Sequence, residues 1–421
     1  MSKIMTVSTG RRTILKGISG VAASAAVATP LVARGADDAK VVRYGTMHPL
    51  TGPYAVLGAD QVNATRLAVD EWNAKGGVLG HRIDWIHRDD QLNGAVALRR
   101  AKELVEDQRC DFIGGTLSGA ISLAINEFAN KNRVPYMAYC MSDMVLGEHQ
   151  GKYGFAFMMI PYSAALAASK YAFESLGKRW FALTADYRWG HSLLEGWLWQ
   201  SQQMGAKFLG NINVPLGSTD ISSLVTQIMA ANPEVLVMNN LGADQTAAIK
   251  QLSEFGLTKN MKIVCTKTAM TTMREVGAAY DENVYGGMSF YWGLRDRYPG
   301  SRTFMENYMQ RFGQPIEQDG ESGYVATHML FTAMEKAGTV TDKEKIVAAL
   351  EGMQYTLTKG PETIRGCDHQ REQSYLLLRG KGAQAKDWDL ADIVAEVPAG
   401  DIIMSCEDNA RRMPFAEVKL P

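Results

Sequence analysis

Short apolar runs bounded by turn residues alternate along this chain with longer stretches whose apolar positions recur at helical spacing. VVRYGTMHPL (41–50) reads as a strand, and the helix expected from about Ala59 to Lys75 turns Val62, Leu67, Val69 and Trp72 inward before Gly76-Gly77 stops it. RIDWIHRDD (82–90) alternates as a strand does, and AVALRRAKELVED (95–107) is amphipathic. CDFIGG, SGAISLAINEFANKN and VPYMAYC continue as strand, helix and strand. The rhythm restarts after Pro161. A helix over SAALAASKYAFESLG leads to the strand RWFALTAD (179–186), the helix SLLEGWLWQSQQMG and KFLGNINVP. The helix SSLVTQIMAA, the strand EVLVMNN, the helix DQTAAIKQLSEFG and the strand MKIVCTK follow.

From about Leu294 the pattern turns helical: SRTFMENYMQRFG, ESGYVATHMLFTAMEKAG and DKEKIVAALEGM. This block has too few strands for a sheet of its own, so it is expected to pack back onto the first domain. SYLLLRGKG and LADIVAEVP then read as two strands joined by a turn. Such alternation predicts an α/β protein with two doubly wound parallel-sheet lobes, a cleft between them and a three-segment hinge. The expected lobes are residues 40–160 with 294–362, and 161–293 with 363–421.

The N-terminus changes the picture of where this happens. Residues 1–36 carry Arg11-Arg12, continue through a weakly apolar, Ala-rich run from Ile18 to Ala33, and end in small residues. That order of charge, apolar run and small residues reads as a twin-arginine export signal, removed on the way to the periplasm. A basic N-terminal arm is the other reading. Charge adds little: 44 Lys+Arg against 45 Asp+Glu leaves no excess to favour nucleic acid or an anionic membrane. Five cysteines are few for a disulfide-built scaffold. Cys110, Cys140 and Cys265 end apolar runs and are expected to be buried free thiols, whereas Cys367 and Cys406 are candidates for one bridge in the periplasm. No C-x-x-C pair exists, and no two of the seven histidines stand at i, i+4 on one helix, so no metal site is expected.

FIGGTLSGAISLAINEF (112–128) runs a strand through a glycine-rich turn into a helix start, where free N–H groups suit an anion. A nucleotide phosphate and a carboxylate both fit the turn alone. No Lys-Ser/Thr pair follows the glycines, as a phosphate-binding loop requires, so a carboxylate at Ser118, Gly119 and Ala120 is the better match. An empty strand-to-helix turn is the bland alternative. No G-x-S-x-G elbow and no nucleophile–base constellation is present, which leaves an exported hydrolase as a weak second class.

The stretches GTMHPLTGPYAVLG, NAKGGVLGHRI, RDD, RVPYMAY, PEVLVMNNLGAD and IRGCDHQ stand in the order found in bacterial periplasmic leucine/isoleucine/valine-binding proteins. The sequence resembles that family over nearly all of the chain beyond the signal. The resemblance implies a type I periplasmic binding fold, a monomer that binds a small solute between two lobes and hands it to an inner-membrane ABC permease, no catalysis and no cofactor. It also suggests where a ligand would lie. Ser142 matches a hydroxyl near the ligand carboxylate, and Tyr54 and Leu57 match apolar cover, with ordinary loop packing as the other reading of Tyr54. Trp189 in ADYRWGHS matches an aromatic that closes over the ligand, and Asn240 and Leu241 lie in the next loop. Lys267 departs from the family, several members of which carry an acid in this loop. A lysine would repel an ammonium and attract a second carboxylate or a carbonyl; a solvated lysine outside the cleft is the alternative, and Asp186 remains a candidate for an ammonium. Aliphatic amino acids, amides or urea-like solutes, and aromatic or keto acids all stay open as ligands, as does a sensor of the same fold.

Overall fold

The computed structural model describes residues 40–52, 54–140, 142–143 and 150–411; the expected export signal over residues 1–36 lies outside them. Strand β1 (Val41–His48) leads to helix α1 (Ala55–Ala74), then β2 (Arg82–Asp89), α2 (Gly94–Lys102), β3 (Phe112–Gly115), α3 (Gly119–Asn132), β4 (Tyr136–Ala138) and β5 (Gly154–Ala156). These five strands form one sheet in the order β2-β1-β3-β4-β5, and every neighbouring pair is parallel. The crossover helices cover both faces, which is why β3 and β4 are buried along their whole length.

Past Pro161, whose ring suits the first turn of a helix, come α4 (Pro161–Ser175), β6 (Arg179–Ala185), α5 (Arg188–Met204), β7 (Lys207–Val214) and α6 (Ser222–Ala231). They are followed by β8 (Val235–Asn239), α7 (Ala243–Glu254), β9 (Lys262–Cys265), α8 (Met270–Val276) and β10 (Val284–Met288). Three helices come next: α9 (Pro299–Phe312), α10 (Gln318–Ala337) and α11 (Lys343–Leu350). A small antiparallel sheet of β11 (Gln354–Tyr355), β12 (Glu362–Ile364) and β13 (Arg371–Glu372) carries the chain to β14 (Tyr375–Gly380), β15 (Ala391–Val397) and α12 (Cys406–Arg411).

The second sheet has the order β15-β14-β10-β9-β8-β6-β7. Strands β6 to β10 pair in parallel, but β14 and β15 add to its edge antiparallel, so this lobe is mixed rather than wholly parallel. Two elements depart from the sequence pattern. Helix α1 starts at Ala55, four residues earlier than its apolar spacing indicates, which draws Leu57 out of the expected loop and into a buried helical position. Strand β10 lacks a strand-like pattern because it carries Gly286 and Gly287. A Cβ on Gly286 would stand 2.2 Å from the Tyr280 hydroxyl, and one on Gly287 2.2 Å from the Thr266 carbonyl.

Helix α10 is buried almost all round. It runs along α1, and Val325, Met329, Leu330 and Phe331 share a core with Tyr44, Trp72 and Phe112 of the first lobe. Helix α9 puts Phe304 and Tyr308 into a second core with Leu67 of α1 and with Phe290 and Leu376 of the other lobe. The chain thus passes between the sheets after β5, after β10 and after α11. Cys367 and Cys406 form a disulfide, while Cys110 and Cys265 are buried free thiols. Cys140, expected to be buried as well, is free but only half-buried. Among the described residues no helix is long and apolar enough to cross a membrane, and no cluster of His, Cys, Asp and Glu could hold a metal.

Candidate binding cleft

In parallel α/β lobes the loops beyond the carboxyl ends of the strands form the site, and here two sets of such loops meet. In the first lobe, β3 ends at Gly115, whose φ is +101° and where a Cβ would stand 2.1 Å from the Met47 carbonyl, so no side chain fits. Thr116 follows at φ +67°, a strained setting for a β-branched residue of the kind that collects at ligand clamps. Ser118 is the N-cap of α3: its backbone is extended and its Oγ accepts from the Ile121 N–H at 3.5 Å. The N–H groups of Gly119 and Ala120 have no acceptor within the helix. Ser142 lies directly against this turn, because a Cβ on Gly119 would sit 3.3 Å from Ser142 Cα. Tyr136 steadies the arrangement, its hydroxyl lying 3.2 Å from both the Gly115 carbonyl and Ser122 Oγ. Ser122 in turn donates to the Cys140 carbonyl.

Tyr54 caps the start of α1, and its ring lies beside Gly242, 3.6 Å from where a Cβ would be. Its phenol meets that of Tyr187; burial raises the pKa of both. Leu57 is buried one turn further on. From the second lobe, Tyr187 caps α5 and stacks on Trp189 with ring centroids 6.0 Å apart. Trp189 therefore stands in the first turn of a helix, not in a loop, and it also packs against the second lobe's core. Asn240 is buried; its carbonyl accepts from Gln245 Nε2 at 2.7 Å, and its side-chain Oδ1 has no partner. The same Gln245 amide donates to the Lys267 carbonyl at 2.9 Å.

Lys267 is half-buried and paired, not solvated. Its ammonium lies 3.0 Å from Asp319 Oδ1 and 3.3 Å from Met158 Sδ. Burial opposes its charge, but the Asp319 carboxylate, with Cys140 and Tyr54 adding to it, raises its pKa on balance. Asp186, by contrast, is exposed and paired with His191 at 3.0 Å. Asp319 and Tyr187 were not among the residues singled out from the sequence. Tyr187 sits within ADYRWGHS, two residues from the tryptophan that drew attention. Asp319 gave no signal, since an acid in the first turn of a helix ordinarily faces water and the helix dipole explains it. A separate hollow of about 290 Å³, lined by Met273, Arg274, Tyr280 and Leu390, contains none of these groups.

The profile of the periplasmic binding protein family matches residues 41–386. The chain belongs to that family. A Leu/Ile/Val-binding protein homolog 8 of Brucella abortus (strain 2308) is 24% identical over 405 residues, covering 91% of this chain and 96% of the relative. The crystal structure of an amino acid ABC transporter substrate-binding protein from Pseudomonas fluorescens Pf-5 superimposes with a TM-score of 0.80 at 26% identity, covering 85% of this chain and 96% of that one. A solute-binding protein of an ABC transporter from Rhodopseudomonas palustris BisB5, in complex with 3,4-dihydroxybenzoic acid, gives a TM-score of 0.77 at 22% identity, covering 86% of this chain and 98% of the other. The resemblance read from the motifs and the two-lobed fold both stand. As a member, this periplasmic binding protein works among small-molecule carriers of ABC transporters.

Proposed function

We propose that this chain is the solute-binding component of an ABC importer. It captures a small carboxylate-bearing solute between its lobes and delivers it to an inner-membrane permease, without catalysis, as an exported monomer in the periplasm. The observation that carries this reading is the start of α3. Two free N–H groups, the Ser118 cap and the adjacent Ser142 converge there, a setting that favours an anion through both donors and dipole. Tyr54 and Leu57 would cover the solute from the first lobe, and Tyr187, Trp189, Asn240 and Lys267 from the second. The lobes are residues 40–160 with 294–362, and 161–293 with 363–421, moving about the three crossings. An aromatic acid is the second reading, favoured by the facing phenols of Tyr54 and Tyr187.

Thermal unfolding against a panel of amino acids, aromatic acids, keto acids and amides tests this, since a ligand at 100 times its Kd adds about 2.7 kcal/mol. Carboxylates should raise Tm and uncharged amides should not. A panel in which no carboxylate does so overturns the proposal. A confirmed ligand should also shrink the scattering profile, because a solute held between lobes favours the closed form.

A further inference from the structure

Asn240 and Lys267, the second lobe's proposed contacts with the solute, stand on different loops, and one buried amide ties the two loops together. Gln245 Nε2 donates to the Asn240 carbonyl at 2.7 Å and to the Lys267 carbonyl at 2.9 Å. Carbonyls only accept, so the orientation of this amide is fixed and both of its N–H bonds are used. Its Oε1 therefore faces Thr268 Oγ1, which donates to it at 2.9 Å. Gln245 and Thr268 are both buried.

A second buried amide extends this chain of contacts out of the lobe. Gln318 Nε2 donates to the Thr268 carbonyl at 2.7 Å, and its Oε1 accepts from the Ser289 N–H at 2.9 Å and from Ser289 Oγ at 3.1 Å. The partners are again a carbonyl and a backbone N–H, so only one orientation of the amide fits. Ser289 opens the crossing after β10, and its own carbonyl accepts from the Lys359 ammonium at 2.8 Å. Gln318 begins α10, the helix that runs along α1 of the first lobe. Its neighbours reach the same second-lobe loop: Glu317 accepts from the Met270 and Thr271 N–H groups, and Asp319 meets Lys267. Breaking any one link would leave a buried donor or acceptor unpaired, which costs more than the bond itself contributes.

Resting on the reading of Asn240 and Lys267 as solute contacts, we infer that Gln245 and Gln318 are positioning residues that fix the second lobe's rim of the cleft to the crossing after β10. Neither touches the solute. Through Gln245, Thr268 and Gln318 the rim and the crossing move together when the lobes rotate. A solute that favours one position of the rim thereby favours one setting of the hinge.

Amide hydrogen exchange of the full chain, read by mass spectrometry, tests the linkage without a solute. Gln318→Met removes the tie between Thr268 and Ser289. Gln245→Glu has at most one hydrogen to donate, so one of its two carbonyls loses its partner at any pH. Each variant should speed exchange about ten- to a hundredfold in both segments 239–246 and 265–272, while β1 to β5 keep wild-type rates. Thr268→Val should do the same, and Thr268→Ser, which keeps the hydroxyl, should not. Unchanged exchange in 239–246 for Gln318→Met, or equal effects of Thr268→Val and Thr268→Ser, overturns the inference. The wild type alone serves if the variants fail to fold: the two segments should open as one unit, with a common dependence on low urea, and separate dependences overturn the linkage. L-leucine, L-phenylalanine and 3,4-dihydroxybenzoate are then added. A probe that slows exchange in both segments of the wild type should bind Gln318→Met about tenfold more weakly or worse; equal affinity overturns the coupling to the hinge. A probe that raises Tm without slowing either segment overturns the reading of Asn240 and Lys267 as solute contacts. If none of the three has any effect on the wild type, the carboxylate reading of the cleft fails, and the solute-free exchange still decides the linkage.

Discussion

The Lys359 ammonium donates to the Ser289 carbonyl at 2.8 Å, and this one contact ties the crossing after β10 to the crossing after α11. The third crossing joins through Gln373, which accepts from Lys359 at 3.0 Å and donates to the Phe157 carbonyl at 3.0 Å. Beside it the Arg371 guanidinium, fully buried, bridges Glu321 of α10 at 2.6 Å and Glu362 of β12 at 2.8 Å. The three strands of chain between the lobes are thus strapped by buried charges. A hinge needs such a fixed centre if its ends are to rotate without separating.

Removing one partner from this group leaves the others buried and uncompensated. Arg371→Met is expected to cost about 3–5 kcal/mol, because Glu321 and Glu362 lose their shared cation. Urea unfolding would measure it. A loss below about 1 kcal/mol would mean that water reaches the crossings and that the strap contributes little.

Stability should also fall as pH rises from about 4.5 to about 7. Glu317 bridges Asp60's neighbourhood and the start of α8, accepting from the Met270 and Thr271 N–H groups at 3.1 and 2.8 Å. Burial, with the charge of Asp319 adding to it, pushes its carboxyl from an ordinary 4.5 up to about 7. An acid whose folded pKa is raised binds its proton more tightly when folded. Its penalty is absent below about pH 4.5 and grows as pH rises to about 7, reaching at most about 3 kcal/mol. Denaturation of wild type and Glu317→Gln from pH 5 to pH 8 checks this. The variant should lose much of the downward slope; parallel curves would show that Glu317 is not its source.

Reduction should loosen the C-terminal segment. The Cys367–Cys406 disulfide closes a separation of 39 residues, and opening such a loop typically costs about 2–4 kcal/mol. Arg365 is placed to hold the segment partly in position without it, since its guanidinium contacts Asp368 at 3.1 Å and donates to the Met404 carbonyl at 2.7 Å. Cys367→Ser with Cys406→Ser should therefore lower Tm while protease cutting, followed by mass spectrometry, begins near residues 398–406. An unchanged Tm would place the stability of this segment in the Arg365 contacts instead.

The sequence pattern was most legible where a crossover helix shows one apolar face, as in α6, whose expected and observed limits coincide at Ser222 and Ala231. It failed where packing rather than side-chain periodicity sets the element. The glycines of β10 are required by the approach of Tyr280 and Thr266, and β11 to β13 are too short to show any period. The cleft follows the same division. That Ser118, Asn240 and Lys267 stand at strand-to-helix turns was legible, because such turns can be counted along the chain. Asp319 was not, because it lies 52 residues from Lys267 and its burial depends on how α10 meets α1 and the second lobe.

Ser118 offers the sharpest separation of structure from binding. As an N-cap it stabilises α3, so Ser118→Ala is expected to cost about 0.5–2 kcal/mol of stability. It should also weaken a bound carboxylate roughly ten- to a hundredfold. That variant alone confounds the two effects. Ser118→Asp separates them, because aspartate caps a helix as well as serine does but presents a negative charge to the solute. Stability should therefore be retained while affinity for any carboxylate falls at least as far as in the alanine variant. Titration and thermal unfolding on the same sample decide it. Full affinity for a carboxylate in Ser118→Asp would mean that the start of α3 caps a helix and does nothing more.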